Sequence, residues 1–130
     1  MRTKQIGYET MARPIKKTPI LSGKESADRK MVANGIEEVL RKAAPRSGRA
    51  ILFGSRARGD ARRDSDWDVL ILLDKDRITS ADMDEISYPI REFGWDIDEM
   101  INPIMYTMKE WEAKSFTPFY KNVMKEGGAL

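Results

Sequence analysis

The chain has 130 residues and a formal net charge of +2, and 34 % of its residues are charged while 41 % are hydrophobic. These values are ordinary for a globular domain and leave room for one hydrophobic core. Cysteine and histidine are both absent, which excludes disulfides, zinc–thiolate sites, thiol catalysis and histidine bases, so any metal ion must be bound by oxygen. No apolar run has the length of a membrane helix and no secretory signal is recognisable, so we expect a cytoplasmic protein.

Basic residues are concentrated at the N-terminus. Residues 1–24 contain six lysines and arginines and one glutamate, a net charge of +5, so the remainder carries −3. Residues 1–22 also contain two prolines and no hydrophobic period, which predicts an irregular arm ahead of a single folded domain at 23–130. Such an arm is typical of a solvated leader, and a basic one also fits contact with nucleic acid or an acidic partner.

A helix and a buried strand are predicted to follow the arm. Hydrophobic residues at helical spacing define a helix that begins near Ser22 or Glu25 and ends before Pro45 and Gly48. Its apolar face consists of Met31, Val32, Ile36, Val39, Leu40 and Ala43. The apolar run that comes next predicts a buried strand over Arg49–Phe53. We expect this helix and this strand to share the hydrophobic core.

The dipeptide Gly54-Ser55 predicts a tight turn after this strand, with one helical turn as an option after Ser55. Gly54 lets the backbone approach a bound group closely, and the amides of Gly54 and Ser55 can point at phosphate oxygens. A short helix would add the positive end of its dipole. The turn is therefore a candidate phosphate-binding site, although Gly-Ser alone is also common in ordinary turns.

A second strand is predicted from Asp66 to Leu73. Its apolar stretch shows little alternation, as expected when both faces of a sheet are covered. Residues two apart on a strand point to the same side, so Asp66 and Asp68 project together while Trp67 faces the other way. Two adjacent carboxylates repel each other and favour a cation between them. Oxygen ligands suit Mg²⁺ or Mn²⁺, which commonly act together with substrate phosphates.

Arginines are frequent around the turn and are opposed by Asp60. Arginines beside a phosphate site would stabilise a triphosphate and its leaving group. We take Arg56 and Arg58, which directly follow the turn, as candidate phosphate ligands. For Arg62 and Arg63 a solvated loop is an equal alternative. The full set is Arg46, Arg49, Arg56, Arg58, Arg62 and Arg63.

Another helix is predicted after a polar loop at residues 74–77. Its N-cap is Thr79 or Ser80, and acids in its first turn suit the positive end of the helix dipole. Pro89 should kink this helix or shorten its start, and Gly94 should end it. The inner face consists of Met83, Ile86, Ile90 and Phe93.

Residues 95–106 predict a third strand, in which Pro103 indicates an edge strand or a bulge. Thr107 and Glu110 form a capping box that begins the next helix. A last helix is predicted after Thr117, with proline in the tolerated first position. Helices and a small sheet therefore account for the whole of the folded part.

The two motifs occur together as Gly54-Ser55-Arg56-Ala57-Arg58-Gly59 and Ser65-Asp66-Trp67-Asp68, with ten residues between Gly-Ser and Asp-x-Asp. This combination resembles the nucleotidyltransferase signature of the polymerase-β-like superfamily, and in particular the minimal nucleotidyltransferase (MNT) proteins of bacteria and archaea. The strong resemblance covers roughly residues 50–74. It implies an α/β (α+β) fold with a small mixed sheet flanked by helices, and transfer of a nucleoside monophosphate, AMP from ATP, to a hydroxyl group.

The resemblance also implies two Mg²⁺ or Mn²⁺ ions, held by Asp66, Asp68 and a third carboxylate on a neighbouring strand. That third carboxylate is expected to accept the proton of the attacking hydroxyl. Counting back from the capping box places Asn102 at the corresponding position, and asparagine cannot act as a base. Asp98 or Asp96 shares the strand parity and could supply the missing charge. A solvated acidic edge is the alternative interpretation of these two residues.

Two functions remain open at this point. MNT proteins act as antitoxins that modify a tyrosine on a HEPN-domain ribonuclease toxin, so the resemblance implies such a partner, which would complete the acceptor site of this short chain. The alternative is a degenerate module that binds nucleotide or partner without transfer, and Asn102 and the basic arm favour it. Nucleic acid is a weaker candidate, because the chain has few aromatic residues and no stacking motif. The sequence leaves self-assembly undecided.

Overall fold

A four-stranded mixed sheet lies at the centre of residues 23–130, the part of the chain that this computed structural model describes. The predicted arm at residues 1–22 lies outside the described residues. The elements, in chain order, are α1 (Gly23–Ala43), β1 (Gly48–Phe53), α2 (Ser55–Arg58), β2 (Trp67–Leu73), α3 (Ser80–Asp82), a π-helical turn (Met83–Ser87), α4 (Tyr88–Asp96), β3 (Ile101–Thr107), α5 (Met108–Ala113), α6 (Pro118–Glu126) and β4 (Gly128–Ala129). None of the helices in this range is both long enough and apolar enough to cross a bilayer.

The strands lie in the order β3-β2-β1-β4. β1 is antiparallel to β2 and to β4, whereas β2 and β3 are parallel. Parallel neighbours need a crossover connection, and the helical segment from α3 to α4 supplies it. β3 is an edge strand, which confirms the prediction from Pro103.

Helices cover both faces of the sheet, which explains why β2 shows no alternation of polar and apolar residues. On one face, Leu52, Val69 and Ile71 are fully buried in the cluster that includes residues of α1 and α4. On the other face, Leu70 and Leu72 pack with residues of α5 and α6. The sheet therefore separates two hydrophobic clusters, and its second face also carries the polar site described below.

The predicted caps are present. The hydroxyl of Thr79 accepts a hydrogen bond from the backbone N–H of Asp82, and the carboxylate of Asp82 accepts one in return from the N–H of Thr79. Thr107 and Glu110 form the same reciprocal pair at the start of α5. α6 begins after Thr117, as predicted, and there the Thr117 hydroxyl accepts a hydrogen bond from the N–H of Tyr120 without a reciprocal carboxylate. Each cap satisfies backbone N–H groups that a helix leaves without partners.

The prediction of a strand at residues 95–100 is wrong. The helix continues to Asp96, and β3 begins at Ile101. Gly94 does not end the helix; it is buried, and a Cβ there would lie 2.8 Å from the carbonyl oxygen of Glu99. The N–H of Glu99 donates to the carbonyl of Gly94 at 2.8 Å, which closes the turn that leads into β3. The polar–apolar alternation here comes from an exposed helix end, where Trp95 is 51 % exposed.

Two further details concern Pro89 and the C-terminal strand. Pro89 lies in the first turn of α4, which begins at Tyr88 after the π-helical turn, so the predicted shortened start is the alternative that the structure shows. Gly127 follows the end of α6, and Gly128–Ala129 then forms the short strand β4, which pairs with Ile51 and Leu52. A two-residue strand has too little pattern to be recognised in the sequence.

We expect Gly35→Ala to lower the free energy of unfolding by about 1–2 kcal/mol, although alanine favours helices by about 1 kcal/mol. A Cβ at Gly35 would lie 2.1 Å from the ring of Phe93, so this half-buried ring would lose its packing against α1 or the two helices would move apart. Urea denaturation measures the change. Asn34→Ala, on the exposed side of the same helix, is the matched control and should be neutral or slightly stabilising. A Gly35→Ala protein as stable as the control would contradict this account of the contact.

Candidate active site

The turn between β1 and α2 is the first component of the site. Gly54 has a φ of 76°, a conformation that L-residues with a side chain rarely adopt. Its carbonyl accepts hydrogen bonds from the N–H groups of Ala57 and Arg58 at 3.0 and 3.1 Å, so α2 begins directly after Gly54. Helix geometry leaves the first N–H groups of α2, those of Ser55 and Arg56, without acceptors inside the helix. They can bind an anion.

The carboxylate pair lies against this turn. Phe53 is the cross-strand partner of Asp68 in the β1–β2 register. A Cβ on Gly54 would lie only 2.5 Å from Oδ2 of Asp68, so the turn and this carboxylate are in close contact. Asp66 immediately precedes β2 and is exposed, and Asp68 is half-buried. Trp67 points to the opposite face and is fully buried, as strand geometry requires.

The third polar position is Asn102. In the parallel β2–β3 register it lies directly beside Asp68, and its amide Nδ2 donates to Oδ2 of Asp66 at 3.0 Å. The position that was found by counting back from the capping box is therefore at the site. It carries an amide, which can donate a hydrogen bond or offer an oxygen but cannot accept a proton as a base.

The electrostatic environment of Asp68 disfavours its negative charge. Burial raises the pKa of Asp68 above its ordinary value, and repulsion from Asp66 acts in the same direction. Hydrogen bonding with Asn102 and the positive charge of Arg58 oppose this rise in the pKa. The site is thus a half-buried acidic position that a bound cation would relieve.

Asp96 and Asp98 lie elsewhere. Asp96 is the exposed last residue of α4, and Asp98 follows in the turn before β3 with a φ of 60°. Asp98 lines a separate open cavity of about 390 Å³, together with Arg63, Asp64, Ser65, Trp95, Glu99 and Met100. Within residues 23–130 there is no group of three acidic side chains placed to hold one metal ion. The structure does not bring either residue into a cluster with the carboxylate pair.

Three of the six arginines have different environments, and the other three, Arg46, Arg62 and Arg63, are exposed. Arg58 is exposed; it bonds to Asp60 at 3.2 Å and to Glu126 at 3.0 Å, and these bonds raise its pKa. Arg56 is 6 % exposed, and its guanidinium is occupied by backbone carbonyls rather than open to a ligand. Arg49 lies near the start of β1, which is the end remote from the turn. Of the two arginines predicted as phosphate ligands, only Arg58 is placed on the surface near Asp68.

Sequence reasoning did not find Glu126 or the apolar floor of the site. Glu126 holds Arg58 from 68 residues away, so no local pattern could indicate it. The ring of Phe53 lies beside Asp68 in the register and packs edge-on against Phe119 with centroids 5.5 Å apart. The glycine–serine turn and the aspartates therefore lie next to aromatic rings at one end of the sheet.

The arrangement defines a class. A mixed sheet flanked by helices, with a glycine–serine turn after one strand and Asp-x-Asp at the start of its neighbour, is the nucleotidyltransferase fold. The chain belongs to the nucleotidyltransferase domain family, whose model matches residues 33–127.

Individual relatives agree with this assignment. Over 58 residues the chain is 43 % identical to the "Putative protein adenylyltransferase" of Methanocaldococcus jannaschii. This match covers 45 % of the chain and 58 % of that relative, so the chain spans little more than half of it.

Solved structures share the fold. A "putative nucleotidyltransferase" from Sulfolobus solfataricus superposes with a TM-score of 0.52 at 24 % identity, over 85 % of this chain and 90 % of that one. A "toxin-antitoxin with AMP-PNP" superposes with a TM-score of 0.52 at 20 % identity, over 75 % of this chain and 70 % of that one. At these identities the likeness concerns the fold.

We expect Gly54→Ala to destabilise the protein more than Gly59→Ala. Gly59 lies in the left-handed helical region at φ 86° and ψ 9°, where a side chain costs roughly 1–2 kcal/mol, whereas Gly54, at φ 76° and ψ −159°, lies in a region that essentially only glycine adopts. Gly59 is exposed, whereas a Cβ on Gly54 must also displace the carboxylate of Asp68. The extra cost should be at least about 1 kcal/mol, measured by urea denaturation. Equal costs would mean that Asp68 is not held against the turn.

We expect Asp68→Asn to raise the melting temperature at about pH 7 in the absence of divalent metal ions. The raised pKa of Asp68 means that the folded protein holds this proton more tightly than the unfolded chain. Stability is therefore lost as the pH rises from the unfolded pKa through the folded one, and an uncharged side chain avoids that loss. The gain should shrink toward about pH 3, where both states are protonated.

Asp76→Asn, in an exposed loop, is the control and should leave the melting temperature unchanged across this range. A melting temperature of the Asp68→Asn protein that is higher by the same amount at every pH would contradict an electrostatic cause.

Proposed function

We propose that this protein is a metal-dependent nucleotidyltransferase that moves a nucleoside monophosphate, AMP from ATP, to a hydroxyl group on a partner protein. The observation that carries the proposal is the contact between the Gly54 turn and the Asp66–Asp68 pair. It brings together a backbone turn that would bind phosphate and two carboxylates that would hold a metal ion. The relative named as a protein adenylyltransferase supports the choice of AMP and of a protein acceptor.

The donor set fits one Mg²⁺ or Mn²⁺ ion on Asp66 and Asp68. All the available ligands are oxygens, which these metals prefer, and the raised pKa of Asp68 shows a carboxylate that a cation would stabilise. When bound, the ion would neutralise phosphate charge and polarise the α-phosphate. A second ion would need a third carboxylate, and Asn102 does not provide one.

The chain's own groups would hold the triphosphate. The N–H groups of Ser55 and of the first turn of α2 would bind phosphate oxygens, and Gly54 has no Cβ to keep the phosphates away. Arg58 would contribute its guanidinium by exchanging its exposed ion pairs with Asp60 and Glu126 for a phosphate. Exposed pairs of this kind are weak, so the exchange costs little.

Transfer would form a bond between the acceptor oxygen and the α-phosphorus and break the bond to the β-phosphate, so that pyrophosphate leaves. Asn102 cannot take the acceptor proton, so the proton would leave to water or to a phosphate oxygen of the substrate. A phenol, with a pKa near 10, loses its proton far more readily than an alcohol. The amide at position 102 therefore favours a tyrosine acceptor over serine or threonine.

The proposed biological setting is that of an MNT-type antitoxin acting on a HEPN toxin. Two observations support it. The motif Gly54–Gly59 with Ser65–Asp68 resembles that of MNT proteins, and the fold is shared with the toxin–antitoxin structure that contains AMP-PNP. Its partner would bring the acceptor hydroxyl to the open side of the Asp66–Asp68 pair.

A second candidate function is favoured by Asn102. The same site would bind a metal–nucleotide complex and leave transfer undone, so that the protein would neutralise its partner by contact. In that case Asn102 is the residue that prevents transfer while nucleotide binding is retained. The two functions differ in whether ATP is consumed, and a single assay distinguishes them.

The test measures pyrophosphate release from ATP and Mg²⁺, with N-acetyltyrosine amide or N-acetylserine amide as the acceptor. We expect the wild-type protein to release pyrophosphate with the tyrosine compound only, and Asp66→Asn to release none. Asn102→Asp should accelerate release at least about tenfold, since a positioned general base contributes on the order of 10²–10⁴-fold. It should also relax the requirement for a phenol.

Thermal shifts with ATP, GTP, CTP and UTP, with and without Mg²⁺, complete the test. A Mg²⁺-dependent shift that occurs in the wild-type protein but not in Asp66→Asn, without pyrophosphate release, selects the binding-only function. Ligand binding stabilises the folded state whether or not the ligand reacts. Release that appears only in Asn102→Asp selects it as well. If no nucleotide shifts the melting temperature, transfer and nucleotide binding are both wrong, and the degenerate module that acts by contact with its partner is selected.

A further inference from the structure

Arg56 differs from its neighbour Arg58 in its exposure and in its contacts. Both belong to the four-residue helix α2, but Arg58 is exposed, whereas the Arg56 side chain is 7 % exposed. Burial of an arginine is costly unless its N–H groups are all engaged. The contacts of Arg56 therefore have to offset the cost of its burial.

The guanidinium of Arg56 is engaged on three sides. Its Nη2 donates to the carbonyls of Arg63 and Ser65 at 3.1 and 3.0 Å, and its Nε donates to Ser65 at 3.2 Å. Its Cζ lies 4.4 Å from the ring centroid of Trp67, so the cation stacks on the indole. Its Nη2 is also 3.9 Å from Oε2 of Glu99.

Glu99 closes the network. Its Oε2 accepts a hydrogen bond from Nε1 of the fully buried Trp67 at 3.1 Å. Glu99 immediately precedes the segment that leads to Asn102, and Trp67 separates Asp66 from Asp68. Arg56 thus connects the turn at Gly54 with β2, which carries Asp68, and with the segment that leads into β3, which carries Asn102. On its outer side, Arg29 of α1 donates to the carbonyl of Arg56 and anchors α2 to the longest helix.

We propose that Arg56, Trp67 and Glu99 form a positioning network that fixes the phosphate turn relative to the Asp66–Asp68 pair, and that Arg56 does not itself contact the nucleotide. The proposal rests on the proposed function for what the aspartates bind. It assigns Arg56 a role different from that of a phosphate ligand, because its guanidinium is occupied by backbone carbonyls and stacks on Trp67, which points away from the carboxylates.

The positioning role depends on the rigid, planar shape of the buried Arg56 guanidinium. A guanidinium can donate to two carbonyls and stack on a ring at once, which an ammonium group cannot do. Ser65 lies one residue before Asp66, so a hydrogen bond to its carbonyl fixes the chain at the point where the carboxylates begin. Residues that orient metal ligands through such contacts typically change metal affinity 10–100-fold when they are replaced.

The test uses Mn²⁺ alone as the probe and measures its affinity by electron paramagnetic resonance, well below the melting temperature. Arg56→Lys keeps the positive charge but loses the fork and the stacking. We expect it to weaken Mn²⁺ binding about tenfold, and Trp67→Phe, which loses the N–H to Glu99 and one ring of the buried indole, to weaken it about threefold. Arg41→Lys, an exposed arginine at the far end of α1, is the matched control and should not change the affinity.

The possible outcomes separate the alternatives. If Arg56→Lys lowers the melting temperature but leaves Mn²⁺ affinity within twofold of wild type, the network is merely structural and the proposal is wrong. If Arg56→Lys leaves Mn²⁺ binding intact and instead weakens ATP binding in the presence of a chelator, Arg56 is a phosphate ligand and the proposal is also wrong. If the wild-type protein binds Mn²⁺, the network variants weaken that binding, and no nucleotide binds, then the proposed function is wrong and the positioning role stands. Absence of Mn²⁺ binding in the wild type would overturn both.

Discussion

The contact between the backbone at Gly54 and the carboxylate of Asp68 is the constraint on which the rest of the site depends. It exists because β1 and β2 are antiparallel neighbours with Phe53 opposite Asp68, so the end of one strand meets the start of the other. A shift of one residue in this register would turn Asp68 toward the buried face and Trp67 toward the turn. The hydrophobic residues of β2 on both faces oppose such a shift, because both sets are fully buried.

The mixed topology of the sheet brings the third polar position to the same end. β1 ends, β2 begins and β3 begins at one side of the sheet, since β1 and β2 are antiparallel whereas β2 and β3 are parallel. The helices on the two faces leave this end open on the side of Asp68 and closed on the side of Trp67. A polar cleft and a buried cation–aromatic cluster thus lie back to back, separated by the thickness of one strand.

The sequence predicted what depends on short-range pattern and missed what depends on distant partners. The buried strands, the turn, the Asp-x-Asp geometry and the helix starts at Thr79, Thr107 and Thr117 follow from neighbouring residues alone. The start of β3 was placed too early, because an exposed helix end at Trp95 imitates strand alternation. The opposite environments of Arg56 and Arg58 could not be foreseen. They are set by Glu99 and Glu126, which lie 43 and 68 residues away along the chain.

The proline in β3 has a consequence for how the protein behaves in concentrated solution. An edge strand presents a row of backbone donors and acceptors with which the edge of a second molecule can pair. Pro103 lacks an N–H, and proline on an edge strand places this gap on the outer side of the sheet. Sheet growth from one molecule to the next is therefore interrupted in the middle of the seven-residue strand. The residue that marks β3 as an edge also protects that edge against fibrillar aggregation.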